Sequence, residues 1–166
     1  MYPVTLGYDE AKKRIESLLR DEYCSEALVT AVFTVEKMLR RTLRQIIVSA
    51  GFTSKTAERL ISSAKGLNAL KEQWFIYEPN HKTLVEIIGH SEWTQICTLS
   101  KMRNQLIHGV RVYEEEECKK QTEQLLFILD NLKQKLDEVY GYSGWARLSL
   151  RKKSKLHIDP KIKISN

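Results

Sequence analysis

Arginine, asparagine and histidine stand close together once in this chain, at Arg103, Asn104 and His108, with Gly109 directly after. Handling a phosphodiester needs at minimum a histidine and a nearby arginine. Cleaving RNA by attack of its own 2′-hydroxyl requires a base, an acid and a cation for the crowded phosphate. Histidine suits both proton roles near neutral pH. Arginine presents a permanently charged, two-pronged donor to phosphate oxygens. Asn104 is placed to orient the imidazole or to bind phosphate. The other histidines, His81, His90 and His157, have no comparable setting.

A helix leading into this stretch raises a geometric problem. Five residues advance a helix by about 500°, so Arg103 and His108 differ by roughly 140° around its axis. Asn104 and His108, four apart, share a face. Arg103 falls beside Ile96, Leu99 and Ile107, the most apolar side, whereas Thr94, Thr98, Lys101 and Gln105 make the solvent side. A buried guanidinium without a partner is expensive. Either Arg103 is paired, with Glu36 as the candidate, or the helix bends, or this side meets a second subunit. A two-fold homodimer supplies two copies of His108 and two of Arg103 to one cleft, one imidazole as base and the other as acid.

The elements that must position this stretch are helical. Only 7 Gly and 3 Pro punctuate 166 residues. Apolar positions at steps of three and four predict helices over 8–20, 22–50, 54–64 and 113–140. Ser25 fits the start of the second, though Glu22 and Tyr23 can belong to it. Residues 66–80 read as a short helix followed by an extended turn, and the run Trp74 to Tyr77 is expected to fold back as core. A further short helix lies within 81–89, and Ser91 is the expected N-cap of the helix that carries the site. Along the second helix Glu36, Arg40 and Arg44 step by four. They read first as a surface ladder of ion pairs; the alternative turns Glu36 or Arg40 toward the site. Four acids at 114–117 suit the first turn of the last helix, where the helix dipole favours negative charge. That acidic run reads as a solvent face or as a surface for an antitoxin protein.

Bulk properties narrow the class. Apolar residues make up 42% and charged residues 29% of the chain, an ordinary globular balance. The length suits about one domain, large enough to do without a disulfide or metal staple. The net charge of +6 lies in the tail: residues 1–146 balance, and residues 147–166 hold seven basic residues against Asp159. Such a tail suits RNA, with Arg147, Arg151, Lys152, Lys153 and Lys155 as contacts, or serves for solubility alone. Its alternating pattern reads as a small β-hairpin or a flexible arm. Cys24, Cys97 and Cys118 are odd in number and widely spaced, with no metal-binding pattern. No cofactor is expected. Without a signal-like N-terminus or a membrane-length apolar run, the expectation is a soluble, cytoplasmic protein with no membrane partner.

The run from Arg103 to His108 resembles the arginine, polar residue, three residues, histidine motif of the HEPN ribonuclease superfamily. The flanks are similar too, with an amphipathic helix before the motif and a long helix after it. EALVTAVFTVEKMLRRTLRQI is similar to the second helix of many HEPN domains, including an acid at mid-helix, here Glu36. The resemblance covers roughly residues 8–140. It implies an all-α, up-and-down helical bundle over residues 1–142, followed by the basic tail at 143–166. It also implies a homodimer, metal-independent endoribonuclease activity and products ending in a cyclic phosphate. Such proteins often serve as toxins or antiviral effectors, some paired with a nucleotidyltransferase-like antitoxin. Paired toxins carry a tyrosine two residues after the histidine; here that position is Val110, and the nearest tyrosine is Tyr113. The alternative is a non-catalytic HEPN-like module that binds RNA or protein, with His108 a capping or core residue.

Overall fold

A computed structural model describes residues 7–157. Seven helices follow one another: α1 Tyr8–Arg20, α2 Cys24–Ser49, α3 Ser54–Ser63, α4 Gly66–Tyr77, α5 Leu84–Ile88, α6 His90–Ile107 and α7 Glu115–Tyr140. Among the described residues there is no strand, so the fold is an all-α bundle.

The bundle is built around α2, which packs against α7 along most of its length and also against α1, α3, α4 and α6. Its apolar row, including Leu28, Val32, Val35, Leu39, Leu43 and Ile46, is buried as the spacing predicts. Thr30, Thr34 and Thr42 are buried as well. Each turns its hydroxyl to the carbonyl four residues back, at 2.7, 2.7 and 2.9 Å, which lets a polar residue enter the core without an unpaired donor. The helix begins at Cys24 rather than Ser25, with Tyr23 as its cap residue. Its first turn is capped from elsewhere: the Glu115 carboxylate accepts from the Cys24 N–H at 3.1 Å and the Ser25 hydroxyl at 3.0 Å. One of the four acids at the start of α7 thus holds two helix starts together rather than facing solvent alone.

The expected ladder along α2 does not form. Arg40 turns away from its row and donates to the carbonyls of Ile61 and Ala64 at 3.1 and 2.9 Å, closing the end of α3. Carbonyls of a last helical turn have no partner within their own helix, so a fork of two charged donors is well matched to them. Arg40→Ala should cost about 2–3 kcal/mol, as two charge-assisted bonds are lost and two carbonyls are left to compete for water. Urea denaturation followed by circular dichroism checks this, with Arg40→Lys expected to recover only part of the loss.

Residues 66–77 are one continuous helix, longer than the short helix and extended turn expected. The aromatic run is split by helical geometry. Trp74 is buried and donates to the Tyr140 hydroxyl at 3.2 Å, whereas Phe75 and Ile76 are exposed. Thr83 and Glu86 form a capping box that starts α5. Gly89, at φ +105, then serves as the last residue of the α5 turn and the cap of α6. Ser91 is therefore inside α6 and not its cap.

The chain after α7 does not form a hairpin within the described residues. Gly144 (φ +85) turns the chain close against α2, where a Cβ would stand 2.8 Å from the Met38 carbonyl. Trp145 donates to the Met38 sulfur at 3.1 Å and meets the Tyr8 ring edge-on at 5.3 Å. Beyond it the backbone is tied to the α2–α3 corner: Ser149 N–H to Gln45 (3.0 Å), Arg151 N–H to the Ser54 hydroxyl (2.8 Å) and Lys155 N–H to the Gly51 carbonyl (2.8 Å). Partners on neighbouring helices and loops replace a strand ladder. The alternating segment at 161–165 lies outside the described residues.

A side-chain cluster fastens α1 to α7. Asp130 accepts from the Tyr8 hydroxyl and from Lys12, the latter at 2.6 Å. Burial alone would raise the Asp130 carboxyl, but these two hydrogen bonds outweigh it and hold the carboxyl below its ordinary value. A carboxyl depressed on folding adds stability above its unfolded value, about 3.9, and loses it as pH falls through the folded value. Asp130→Asn should therefore unfold at lower urea than the unmodified chain at neutral pH. The gap should close as the pH is taken below the carboxylate range.

Candidate active site at the end of helix α6

Helix α6 delivers Arg103, Asn104 and His108 to the end of the bundle. Its apolar side, with Trp93, Ile96, Leu99 and Met102, is buried. Arg103 lies on that side, and its side chain is 14% exposed. It is paired as the cost of burial demands: a terminal nitrogen of its fork stands 2.7 Å from Glu36 Oε1 on α2. The same oxygen accepts from the Ser100 hydroxyl at 2.8 Å. The Nε–H of Arg103 is buried and has no acceptor. Glu36 and Ser100 thus set the guanidinium in one orientation. A guanidinium has five N–H donors, so a single carboxylate oxygen leaves capacity for a second anion.

His108 is the residue at which α6 stops. Its N–H still bonds the Asn104 carbonyl at 3.0 Å, while Gly109, at φ +63, takes the left-handed conformation. The Gly109 N–H bonds Leu106 O (3.2 Å) and the Val110 N–H bonds Gln105 O (2.9 Å), the paired pattern of a Schellman helix end. The His108 side chain is exposed on the last turn, one turn beyond exposed Asn104. Around it Ile107, Val110 and Val112 are 56%, 72% and 89% exposed, an apolar rim beside a polar residue. Tyr113 is half-buried; its hydroxyl donates to Gln105 Oε1 and its ring carries the Arg111 guanidinium at 4.5 Å. Tyr113 therefore fastens the loop after His108 back onto α6.

Within one chain, Arg103 faces α2 and His108 faces outward, and among the described residues no hydrogen bond or ion pair joins them. Helix α6 is uninterrupted through Ile107, so the separation around the axis expected from five helical steps is kept. Of the supporting residues, Glu36 is brought to Arg103 and Tyr113 to the loop of His108, whereas Arg40 is committed to the end of α3. Arg147, Lys152, Lys153 and Lys155 are exposed and Arg151 half-buried, all on the tail that follows the α2–α3 corner rather than the end of α6. Sequence reasoning missed Ser100. Its signal is position: three residues before Arg103, it shares the buried face, where a hydroxyl needs a partner.

Among the described residues no helix is long and apolar enough to cross a membrane. No protein-family model, curated protein or solved structure matches the chain.

Proposed function

We propose that the chain is a metal-independent endoribonuclease of the HEPN type, acting as a homodimer whose two α6 ends share one cleft. The observation that carries this is the contrast at the end of α6: a guanidinium fixed by Glu36 and Ser100, and an exposed imidazole one turn and a half later. The exposed apolar rim of Ile107, Val110 and Val112 gives a second copy something to cover. Pairing two such ends around a two-fold axis supplies the second histidine that one chain lacks.

In that cleft one His108 takes the proton of the 2′-hydroxyl, whose oxygen attacks the adjacent phosphorus. The second His108 gives a proton to the departing 5′-oxygen as its bond to phosphorus breaks. Arg103 neutralises the charge that builds on the non-bridging oxygens, and Asn104, one turn before His108, orients the imidazole or binds phosphate. The products are a 2′,3′-cyclic phosphate and a 5′-hydroxyl. We place the chain as a cytoplasmic toxin or antiviral effector, restrained by an antitoxin protein for which exposed Glu114, Glu116 and Glu117 offer an acidic face.

Incubating the purified chain with transfer RNA in chelator, beside His108→Ala and Arg103→Ala, tests the assignment. Cleavage by the unmodified chain and loss in both variants is expected. Robust RNA binding without cleavage would favour the non-catalytic module instead. A solution dimer with its two His108 side chains on opposite outer faces would contradict the shared cleft.

A further inference from the structure

We propose that the open groove along one side of α2, lined by Lys37, Arg41 and Arg44 and floored by Phe33 and Leu148, carries the single-stranded RNA flanking the cleaved bond. The strand is named as RNA on the strength of the ribonuclease reading, while its path comes from the groove.

Lys37, Arg41 and Arg44 recur at steps of four and three, which puts them on one helix face. Few acids answer them. Glu36 borders the groove but is occupied by Arg103 and Ser100. From α3 only Glu58 reaches the row, at 3.7 Å from Arg44, and its side chain is 69% exposed. The groove therefore holds a surplus of positive charge. Lys37 registers it: burial and the neighbouring Arg41 push its ammonium below its ordinary value, a strain that an anion would relieve. Arg41 donates from a terminal nitrogen to the Ala146 carbonyl at 3.2 Å, and the Nε–H groups of Arg41 and Arg44 are buried without acceptors, so each guanidinium keeps donor capacity for an anion.

The apolar surface suits a strand with bases. Phe33, which is 37% exposed, lines the groove with the Lys37 ammonium 5.9 Å from its ring centre, and Leu148 adds a second apolar side chain to the lining. Cations that follow a backbone, with an aromatic ring for a base, are how single strands are held without sequence preference. Position connects the groove to the chemistry. Glu36 is one of the residues lining it and is bonded to Arg103 at 2.7 Å, so a strand in the groove lies one side chain away from the guanidinium assigned to the scissile phosphate. From Glu36 to Arg44 is eight residues, about 12 Å of helix. Arg147, next to Leu148 in the chain, is exposed.

Binding of a fluorescein-labelled oligouridylate to the full chain carrying His108→Ala, measured by anisotropy over a salt series, tests this. Each single-strand phosphate contact contributes about 0.7 to the slope of log affinity against log salt, so Lys37→Gln with Arg44→Gln should flatten the slope by about 1.4 and weaken binding at low salt. Arg44→Lys, which keeps the charge, should keep the slope. Should the double variant fail to fold, Lys37→Gln alone reads the effect, with half the change. An unchanged slope, absence of binding, or a groove-dependent preference for polyglutamate over the RNA would overturn the proposal. Cleavage by the unmodified chain is scored separately. Cleavage with an unchanged slope removes the groove and leaves the ribonuclease standing. Groove-dependent binding without cleavage does the reverse.

Discussion

Replacing His108 by alanine is expected to lower RNA cleavage by about a hundred- to ten-thousand-fold, the usual worth of positioned acid–base catalysis. In a shared cleft the substitution removes base and acid together, so the upper part of that range is expected. Thermal unfolding should hardly move. The side chain is exposed, and the helix end is made by backbone bonds from His108, Gly109 and Val110 that alanine leaves in place. Surface changes away from such features fall within about 0.5 kcal/mol. Single-turnover cleavage and a melting curve on the same preparation check both halves. A large loss of stability would mean that His108 serves the fold rather than the reaction.

Glu36 and Arg103 should separate in the opposite sense. Glu36→Ala leaves a largely buried guanidinium with no acceptor, beside an Nε–H that already lacks one, and takes the partner from Ser100. Stripping one member of a buried pair costs about 3–5 kcal/mol, and the 14–19% exposure of these side chains puts the expectation near the lower end, about 3 kcal/mol. Arg103→Ala is milder for the fold, about 1–2 kcal/mol, because Glu36 still accepts from Ser100. For cleavage the order reverses below the melting range. Arg103→Ala removes the charge on the phosphate, a loss of about a hundred- to a thousand-fold, whereas Glu36→Gln keeps an oxygen for the fork and should retain more activity. Urea midpoints and initial rates on the three variants give the two orders directly.

Much of the bundle was legible because its helices bury single stripes. The rows in α1, α2 and α7 locate those helices to within a residue or two. The pairing of Arg103 with Glu36 was one of three alternatives the residues left open: a guanidinium on an apolar face must find an acid, meet a bend or meet a second subunit, and an acid at mid-α2 supplies the first. Tertiary partners decided the rest. Spacing by four allows Glu36, Arg40 and Arg44 to pair with one another, but carbonyls at the end of α3 and the buried face of α6 offered better partners. The alternation at 147–151 and from 155 resembles a strand, yet backbone groups there are satisfied by Gln45, Gly51 and Ser54, distant in sequence. Ser91 has the chemistry of a cap, but Gly89 reaches the positive φ that the α5–α6 corner requires. The basic groove was hidden for the same reason, since α3 and the tail supply its other walls.

The proposed reaction rests on attack by the ribose 2′-hydroxyl under the control of His108. The direct measurement uses one end-labelled oligoribonucleotide in chelator, compared with the same strand carrying a single 2′-deoxy sugar at the mapped cleavage position. Cleavage of the first to a fragment ending in a 2′,3′-cyclic phosphate is expected, with no cut at the deoxy position and none by His108→Ala. A cut at the deoxy position, or equal cleavage by His108→Ala, would contradict it.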